Sequence, residues 1–275
     1  MTHRHLRPFL FALLLAPAIV LAQNSKQELN DQFWEAVRKG DAAAVTTLLD
    51  KGADVNARFR YGTTALFKAA ERGHTEVVKL LLARGADVSV KDTFYGATAM
   101  TWALNNKHIE AVGALLEKDT ASVNDVLMTG AREGSAELVR IALAKATPKP
   151  ETLTAALAAT MIDKDKAEIA EMLKKAGATA PLEVDAATLQ SYVGQYKPEQ
   201  GAEIAFTLKD GKLFATPIGQ PPIAMFAVDK TTFRPVAFDG IIVTFTVDAD
   251  KVTAFKLKQG PNTTVYKRVE ETKQP

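Results

Sequence analysis

Cysteine is absent from this sequence. Without it there are no disulfides, no thiolate nucleophile and no sulfur-ligated metal site. Histidine is nearly as scarce, with four in 275 residues. His3 and His5 lie in the first 22 residues, and neither His74 nor His108 has a second His one helical turn away or a carboxylate pair beside it. That leaves no zinc motif. None of Ser25, Ser89, Ser122, Ser135 or Ser191 opens a Ser-x-x-Lys sequence, so that route to an activated serine is missing too. No catalytic residue, metal ligand or cofactor site is assigned.

An excess of charge of either sign is also lacking. The chain has 34 basic and 32 acidic residues, and residues 1–22 hold two of the basic ones, Arg4 and Arg7, and no acid. The remainder is balanced, and no basic stripe interrupts it. Nucleic acid and anionic membrane surfaces call for such a stripe and are not expected as partners.

Long hydrophobic runs are confined to Phe9–Leu21, which Pro17 interrupts and which is too short to span a bilayer comfortably. Arg4 and Arg7 precede it and Val20-Leu21-Ala22 closes it on a small residue, the pattern of a secretory signal peptide. Cleavage is expected near Gln23, giving an exported chain in the periplasm or outside the cell, with no membrane attachment after signal removal. An uncleaved membrane anchor is the alternative. A lipid anchor is not expected, because no cysteine follows the site.

What fills the rest is a repeat. Gly62–Lys91 reads as a turn, a short helix, a tight turn at Gly73, a second helix, and a Gly85-Ala86-Asp87-Val88 exit, with copies on both sides at 33 or 34 residues. Val77, Val78, Leu80, Leu81 and Leu82 make a stripe too wide for one helix to bury, so neighbouring repeats must stack. Gly40 and Gly52–Asn56 mark a first copy from about residue 31. Thr98–Ala103 and His108–Val112 mark a third, with Lys107 in place of the turn glycine. Gly134 with Glu137–Val139 marks a fourth, too closely spaced to carry a finger, and Glu168–Ala170 with Gly177 a fifth. Glu76, Glu110, Glu137 and Glu168 recur at one repeat position, as do His74 and His108, which points to scaffold roles. Asp163, Asp165 and Glu168 lack the glycine of an EF-hand loop and are expected to form a charged turn.

Thr64-Ala65-Leu66-Phe67-Lys68-Ala69, followed by Gly73-His74-x-Glu76-Val77-Val78 and Gly85-Ala86-Asp87-Val88, resembles the ankyrin repeat. The resemblance covers about residues 31–178 as about five repeats, the first and last acting as caps. It implies a helical solenoid that binds another protein, of unknown identity, through finger tips and a concave face, with no reaction of its own.

Two clusters fall at the fingers: Arg58-Phe59-Arg60-Tyr61 and Thr93-Phe94-Tyr95. Aromatic residues and Arg dominate binding hot spots. The alternative is that Phe59 and Phe94 pack against the neighbouring finger and only the other tip residues are exposed. Trp102 aligns with Lys68 and Glu35, the position that the resemblance places on the concave face. It either anchors a partner there or fills space left by the missing glycine at Lys107. The candidate partner-binding residues are therefore Arg58, Phe59, Arg60, Tyr61, Lys68, Phe94, Tyr95 and Trp102.

Helical period stops near Pro181 and strand period begins. Alternating runs at residues 204–208, 212–216, 223–228, 232–236, 241–247, 252–258 and 263–269 are separated by turn signals such as Asp210-Gly211. Seven or eight short antiparallel strands predict a small closed barrel or sandwich over residues 181–275, after a repeat region over 23–180. The fold class is thus multidomain α plus β. Phe206, Phe214, Phe226, Phe233, Phe238, Phe245 and Phe255 either fill the barrel or line a cavity for a small apolar ligand. The motif Leu189-x-x-Tyr192-Val193-Gly194-x-Tyr196 with Lys209–Leu213 resembles the small β domain appended to penicillin-binding-protein-like serine hydrolases, over about residues 187–270. There such a domain is an accessory to separate catalytic machinery. An apolar-ligand carrier and an enzyme with an unrecognised site are the competing functions.

Overall fold

The computed structural model describes residues 12–161, 164–236 and 240–269, with side chains from residue 25 onward except that of Lys164. Arg4, Arg7, Asp163, Phe238 and Asp239 lie outside the described residues. A helical ankyrin-repeat region is followed by a C-terminal eight-stranded antiparallel barrel. In space the chain divides into two compact units, Met1–Ser122 and Val123–Pro275, so the change from helix to strand near residue 180 falls inside the second unit.

The first unit holds three helical hairpins: α1 (Ala12–Lys39) with α2 (Ala42–Asp50), α3 (Ala65–Arg72) with α4 (Thr75–Ala83), and α5 (Ala99–Asn105) with α6 (Ile109–Leu116). Helix α1 runs through the Ala22–Gln23 junction without a break. Among the described residues no helix is long and apolar enough to cross a membrane.

The opening threonines work as N-caps: Thr64 accepts from the Phe67 amide at 3.4 Å, and Thr98 and Thr101 form a reciprocal capping box. Val77, Val78, Leu81 and Leu82 of α4 are buried, each stabilising the stack by roughly 1.5–3 kcal/mol. Leu80 is only half-buried, which narrows the stripe by one residue. Repeats are also joined by polar contacts. The Asp54 amide donates to Asn30 Oδ1 at 3.0 Å, the Asp87 amide to Asn56 Oδ1 at 2.9 Å, and Asn56 Nδ2 to the Gly85 carbonyl at 3.2 Å.

The two histidines are part of this stitching. His74 Nε2 lies 3.2 Å from the Arg38 carbonyl and His108 Nε2 lies 3.1 Å from the Glu71 carbonyl, each reaching back one repeat. Gly40 and Gly73 are needed beneath them. A Cβ there would stand 2.7 and 2.5 Å from the imidazole Nδ1, at φ of +75° and +70°. Lys107 makes the same turn without glycine, at φ 59°.

In the second unit α7 (Val123–Glu133) pairs with α8 (Ala136–Lys145), and α9 (Pro150–Thr160) with α10 (Ala167–Lys175). A short helix α11 (Ala186–Tyr192), capped by Asp185, leads into the barrel. Its strands are β1 (Gly194–Pro198), β2 (Ile204–Lys209), β3 (Lys212–Pro217), β4 (Ile223–Ala227), β5 (Thr232–Pro235), β6 (Ile241–Asp248), β7 (Lys251–Gln259) and β8 (Asn262–Arg268). They pair in chain order and close through β1 and β8.

Register decides which aromatics face inward. Asp210 and Gly211, both at positive φ, make a two-residue turn that pairs Lys209 with Lys212 and therefore Phe206 with Ala215. Directly paired residues share a face, so Phe206, Leu213 and Ala215 point in while Phe214, opposite Thr207, points out. Phe214 in turn pairs with Ala224, which turns Met225 and Ala227 inward and Phe226 outward. Phe214 and Phe226 are thus not part of the barrel filling expected from the sequence, although Phe226 is buried on the outer side. Tyr192 and Tyr196 take their place, with the Tyr192 ring stacked on Phe245 at 4.1 Å and Tyr196 edge-on to Phe206 and Phe255. The barrel interior is filled by side chains.

Arg268 fastens α11 beneath this core, donating to the carbonyls of Ser191 at 2.9 Å and Val193 at 2.6 Å. The Tyr196 hydroxyl donates to the Tyr192 carbonyl at 2.9 Å. Burial pushes the Tyr196 phenol up to about 12, against the opposing pull of Arg268.

Candidate functional site on the repeat fingers

Two fingers project between the helical hairpins of the first unit. The first closes with the Phe59 amide donating to the Thr63 carbonyl at 2.8 Å, around a 3₁₀ turn at Arg60–Gly62. The second closes with the Asp92 amide on the Ala97 carbonyl at 2.9 Å, and the Thr93 amide on the Tyr61 carbonyl at 2.9 Å ties the two together. After α6 the chain passes straight into a 3₁₀ turn, Thr120–Ser122, and then α7, so the fourth repeat has no finger, as its spacing requires.

Tyr61 bends the first finger. It has φ 60° and ψ 26°, a left-handed conformation that a bulky L-residue adopts at a cost of about 1–2 kcal/mol. The bend leaves its ring 51% exposed, 6.0 Å from Phe94 and under the Arg60 guanidinium, whose Cζ lies 4.7 Å from the ring centroid. Phe94 and Tyr95 are the most exposed aromatics described, at 69% and 70%, and meet edge-on at 4.6 Å.

The second finger is organised by Asp92. Its carboxylate is buried and accepts from the amides of Phe94 at 2.8 Å, Tyr95 at 2.5 Å and Ala97 at 3.1 Å, and from the Trp102 indole at 3.4 Å. Burial opposes its ionisation, but the hydrogen bonds from Tyr95, Phe94, Trp102 and Ala97 outweigh it and hold the carboxyl below its ordinary value. One side chain therefore anchors the backbone beneath both exposed rings and the Trp102 indole.

Trp102 is half-buried, its ring 5.7 Å from Phe67 and 5.9 Å from Tyr95. Phe59 is half-buried against Trp34 at 4.2 Å, whereas Phe94 stays open. Phe59 is thus packed, but on helix α1 and not on the neighbouring finger, whereas Phe94 meets Tyr61 of the neighbouring finger and stays exposed. Lys68 is half-buried, paired with Glu71, with its ammonium 5.7 Å from the Trp34 ring centroid. Arg58 and Arg60 are exposed. The structure brings seven of the eight candidates into two groups: Tyr61, Phe94, Tyr95 and Trp102 form one chain of ring contacts that Arg60 extends, and Phe59 and Lys68 gather around Trp34, while Arg58 joins neither and donates to the Gly62 carbonyl at 3.5 Å.

Two members were missed from sequence. Trp34 stands one residue before Glu35, in register with Phe67, and is an aromatic next to a repeat position already singled out. Asp92 lies 33 residues after Phe59, so a carboxylate replaces an aromatic at the finger's base. That departure from the repeat was the available signal.

Among the described residues of the second unit, an apolar groove of about 360 Å³ is lined by Met161, Leu182, Leu213, Met225, Phe226 and Val236, among others. Among the described residues no group of three or more His, Asp or Glu is placed to hold a metal ion.

Comparison with known proteins agrees with the repeat geometry. The family of ankyrin repeats (3 copies) matches residues 33–126, about a third of the chain. The chain is 42% identical over 88 residues to a probable E3 ubiquitin-protein ligase, XBOS33, of Oryza sativa subsp. japonica. It is 35% identical over 88 residues to the E3 ubiquitin-protein ligase XBAT33 of Arabidopsis thaliana. Each match covers 32% of this chain, within the repeats, and 17% of the relative, so the chain spans less than a fifth of the relatives it matches. Ankyrin repeats generally mediate protein–protein binding, and residues 33–126 match their family model.

Proposed function

We propose that this protein is an exported, non-enzymatic adaptor that binds another protein through the finger tips and concave face of its first three repeats. The observation that carries the proposal is the run of rings from Tyr61 through Phe94 and Tyr95 to Trp102, held open to solvent by Asp92 and flanked by Arg60. A scaffold alone has no need of rings exposed by half or more on a strained turn. The ligase activity in the relatives' names belongs to proteins most of whose length has no counterpart here. Affinity capture from the protein's own envelope extract tests the proposal. A partner retained by the parent and lost by a Tyr61→Ala, Tyr95→Ala double variant supports it, and equal capture by both sinks it.

Export rests on the charged, apolar and small-residue pattern of residues 1–22. Intact-mass measurement of the native protein should give a chain beginning close to Gln23, and retention of residues 1–22 in a membrane fraction would replace this with an anchored form. Residues 23–180 and 181–275 are proposed as the two functional modules, the second resembling the accessory β domain of penicillin-binding-protein-like hydrolases. Limited proteolysis between Thr179 and Thr188 that releases a folded barrel supports that division. A first cut between Ser122 and Val123 moves it.

The groove beside Met225 and Phe226 favours a second reading, in which the second unit carries a small apolar ligand. Native mass spectrometry of the purified protein decides it: a bound small molecule supports the carrier, a bare mass does not.

A further inference from the structure

We propose that the finger tips take an acidic, extended protein segment in which carboxylates flank an apolar side chain. This rests on the adaptor function and specifies the chemistry of its partner. The charged residues exposed beyond the exit motifs, on the fingers themselves, are Arg58, Arg60 and Lys91, all of one sign, with Asp54 and Asp87 exposed behind them at the exits. Asp92, the acid in the same stretch, is buried and its oxygens are engaged by three amides and the Trp102 indole, so it is turned away from these cations. Arg58 is close enough to Asp87 to lower that carboxyl by charge attraction, after the larger effect of the Ser89 hydrogen bonds. Arg60 and Lys91 make no ion pair among the described residues. The tip is therefore locally positive, in a chain whose 34 basic and 32 acidic residues nearly cancel.

The geometry narrows the occupant further. Arg60 lies over the Tyr61 ring, which presents the guanidinium beside an aromatic ledge where it can meet a carboxylate in two-pronged fashion. Phe94 and Tyr95 continue the ledge and offer apolar surface that a free anion would leave wet. An occupant must supply a carboxylate and an apolar group a few ångströms apart, which an acidic peptide with an intervening aromatic, aliphatic or proline residue does. Three cations are too few for a nucleic-acid backbone, whose binding grows with the number of phosphates neutralised. The Thr93–Tyr61 hydrogen bond and the Asp92 hub fix the ledge before binding, so little ordering is required on association.

The test is selection of short random linear peptides on the full-length protein, with prior depletion on the Tyr61→Ala, Tyr95→Ala double variant. Enriched peptides should carry Asp or Glu within two positions of an apolar residue. A synthetic one followed by fluorescence anisotropy should lose roughly tenfold in affinity or more with Arg60→Glu or Lys91→Glu, and weaken steadily with salt. Melting curves on each variant confirm that the fold is intact. Neutral or basic peptides, or affinity indifferent to salt and to Arg60→Glu, would overturn the acidic partner while leaving finger binding in place. If no selected peptide distinguishes the parent from the double variant, finger binding itself fails.

Discussion

Six aromatic rings of the second unit, Tyr192, Tyr196, Phe206, Phe233, Phe245 and Phe255, are at most 3% exposed and meet one another in stacked, edge-on and tilted contacts. On the fingers of the first unit, Tyr61, Phe94 and Tyr95 also meet ring to ring, yet half or more of each is open to water. The barrel gains stability from its rings because each removes apolar surface from solvent and fills a closed volume. The fingers gain little that way. Their rings are held out by a left-handed Tyr61 and by a buried carboxylate, which costs stability and yields a rigid surface. Equal chemistry thus serves cohesion in one region and recognition in the other.

The contrast is broken most sharply inside the barrel. Phe245 touches Tyr192, Tyr196, Phe206, Phe233 and Phe255, so Phe245→Ala should destabilise the second unit by about 3–5 kcal/mol, read by chemical denaturation. A loss under about 1 kcal/mol would mean the interior collapses easily and is not the packed core described.

On the fingers the sign of the experiment reverses. Tyr61→Ala and Tyr95→Ala should each weaken partner binding by about 2 kcal/mol, roughly thirtyfold, with little change in melting temperature. Trp102→Ala should match them in binding but lower the melting temperature as well, because Trp102 is half-buried and bonded to Asp92.

A smaller effect separates the hub from the rings. Asp92→Ala removes an acceptor from three amides, so the second finger should loosen, Trp102 emission should shift to the red, and binding should fall although no contacting ring has changed. In the parent, Asp92 is depressed from its ordinary value of 3.8, so its contribution is complete above that value and lost only as pH falls through the lower folded one. Trp102 emission should hold steady from neutral pH to about 4, and a transition near pH 6 would point to another group.

The least effect is expected where strain serves no surface. Lys107 sits at φ 59°, so Lys107→Gly should stabilise the first unit by about 1 kcal/mol. Tyr61→Gly relieves similar strain and should leave the melting temperature level or higher while weakening partner binding.

How far the sequence announced this depended on what each feature rests upon. The helical hairpins were legible because the turn and exit motifs recur at a fixed spacing, and Gly73 does there what a left-handed turn requires. Finger positions followed from spacing alone. Asp92 showed in the sequence only as a departure from the repeat and not as a hub, because three of its four partners are backbone amides, which leave no trace in residue identity. In the barrel the strands were read from alternation, but inward and outward were not: the Asp210-Gly211 turn sets the pairing of β2 with β3, and that pairing turns Phe214 and then Phe226 outward. Helix α11 is seven residues long, too short for a helical period to declare itself.

The most direct test of recognition by the fingers is site-specific photo-crosslinking in the native cell. A photoreactive phenylalanine analogue would be placed singly at Phe94 and at Val265, a similarly open position on the barrel wall. A discrete crosslinked protein from position 94, lost when Arg60→Glu is added, and none from position 265, is the expected result. A discrete adduct from position 265 with none from position 94 would contradict it and make the barrel the docking surface.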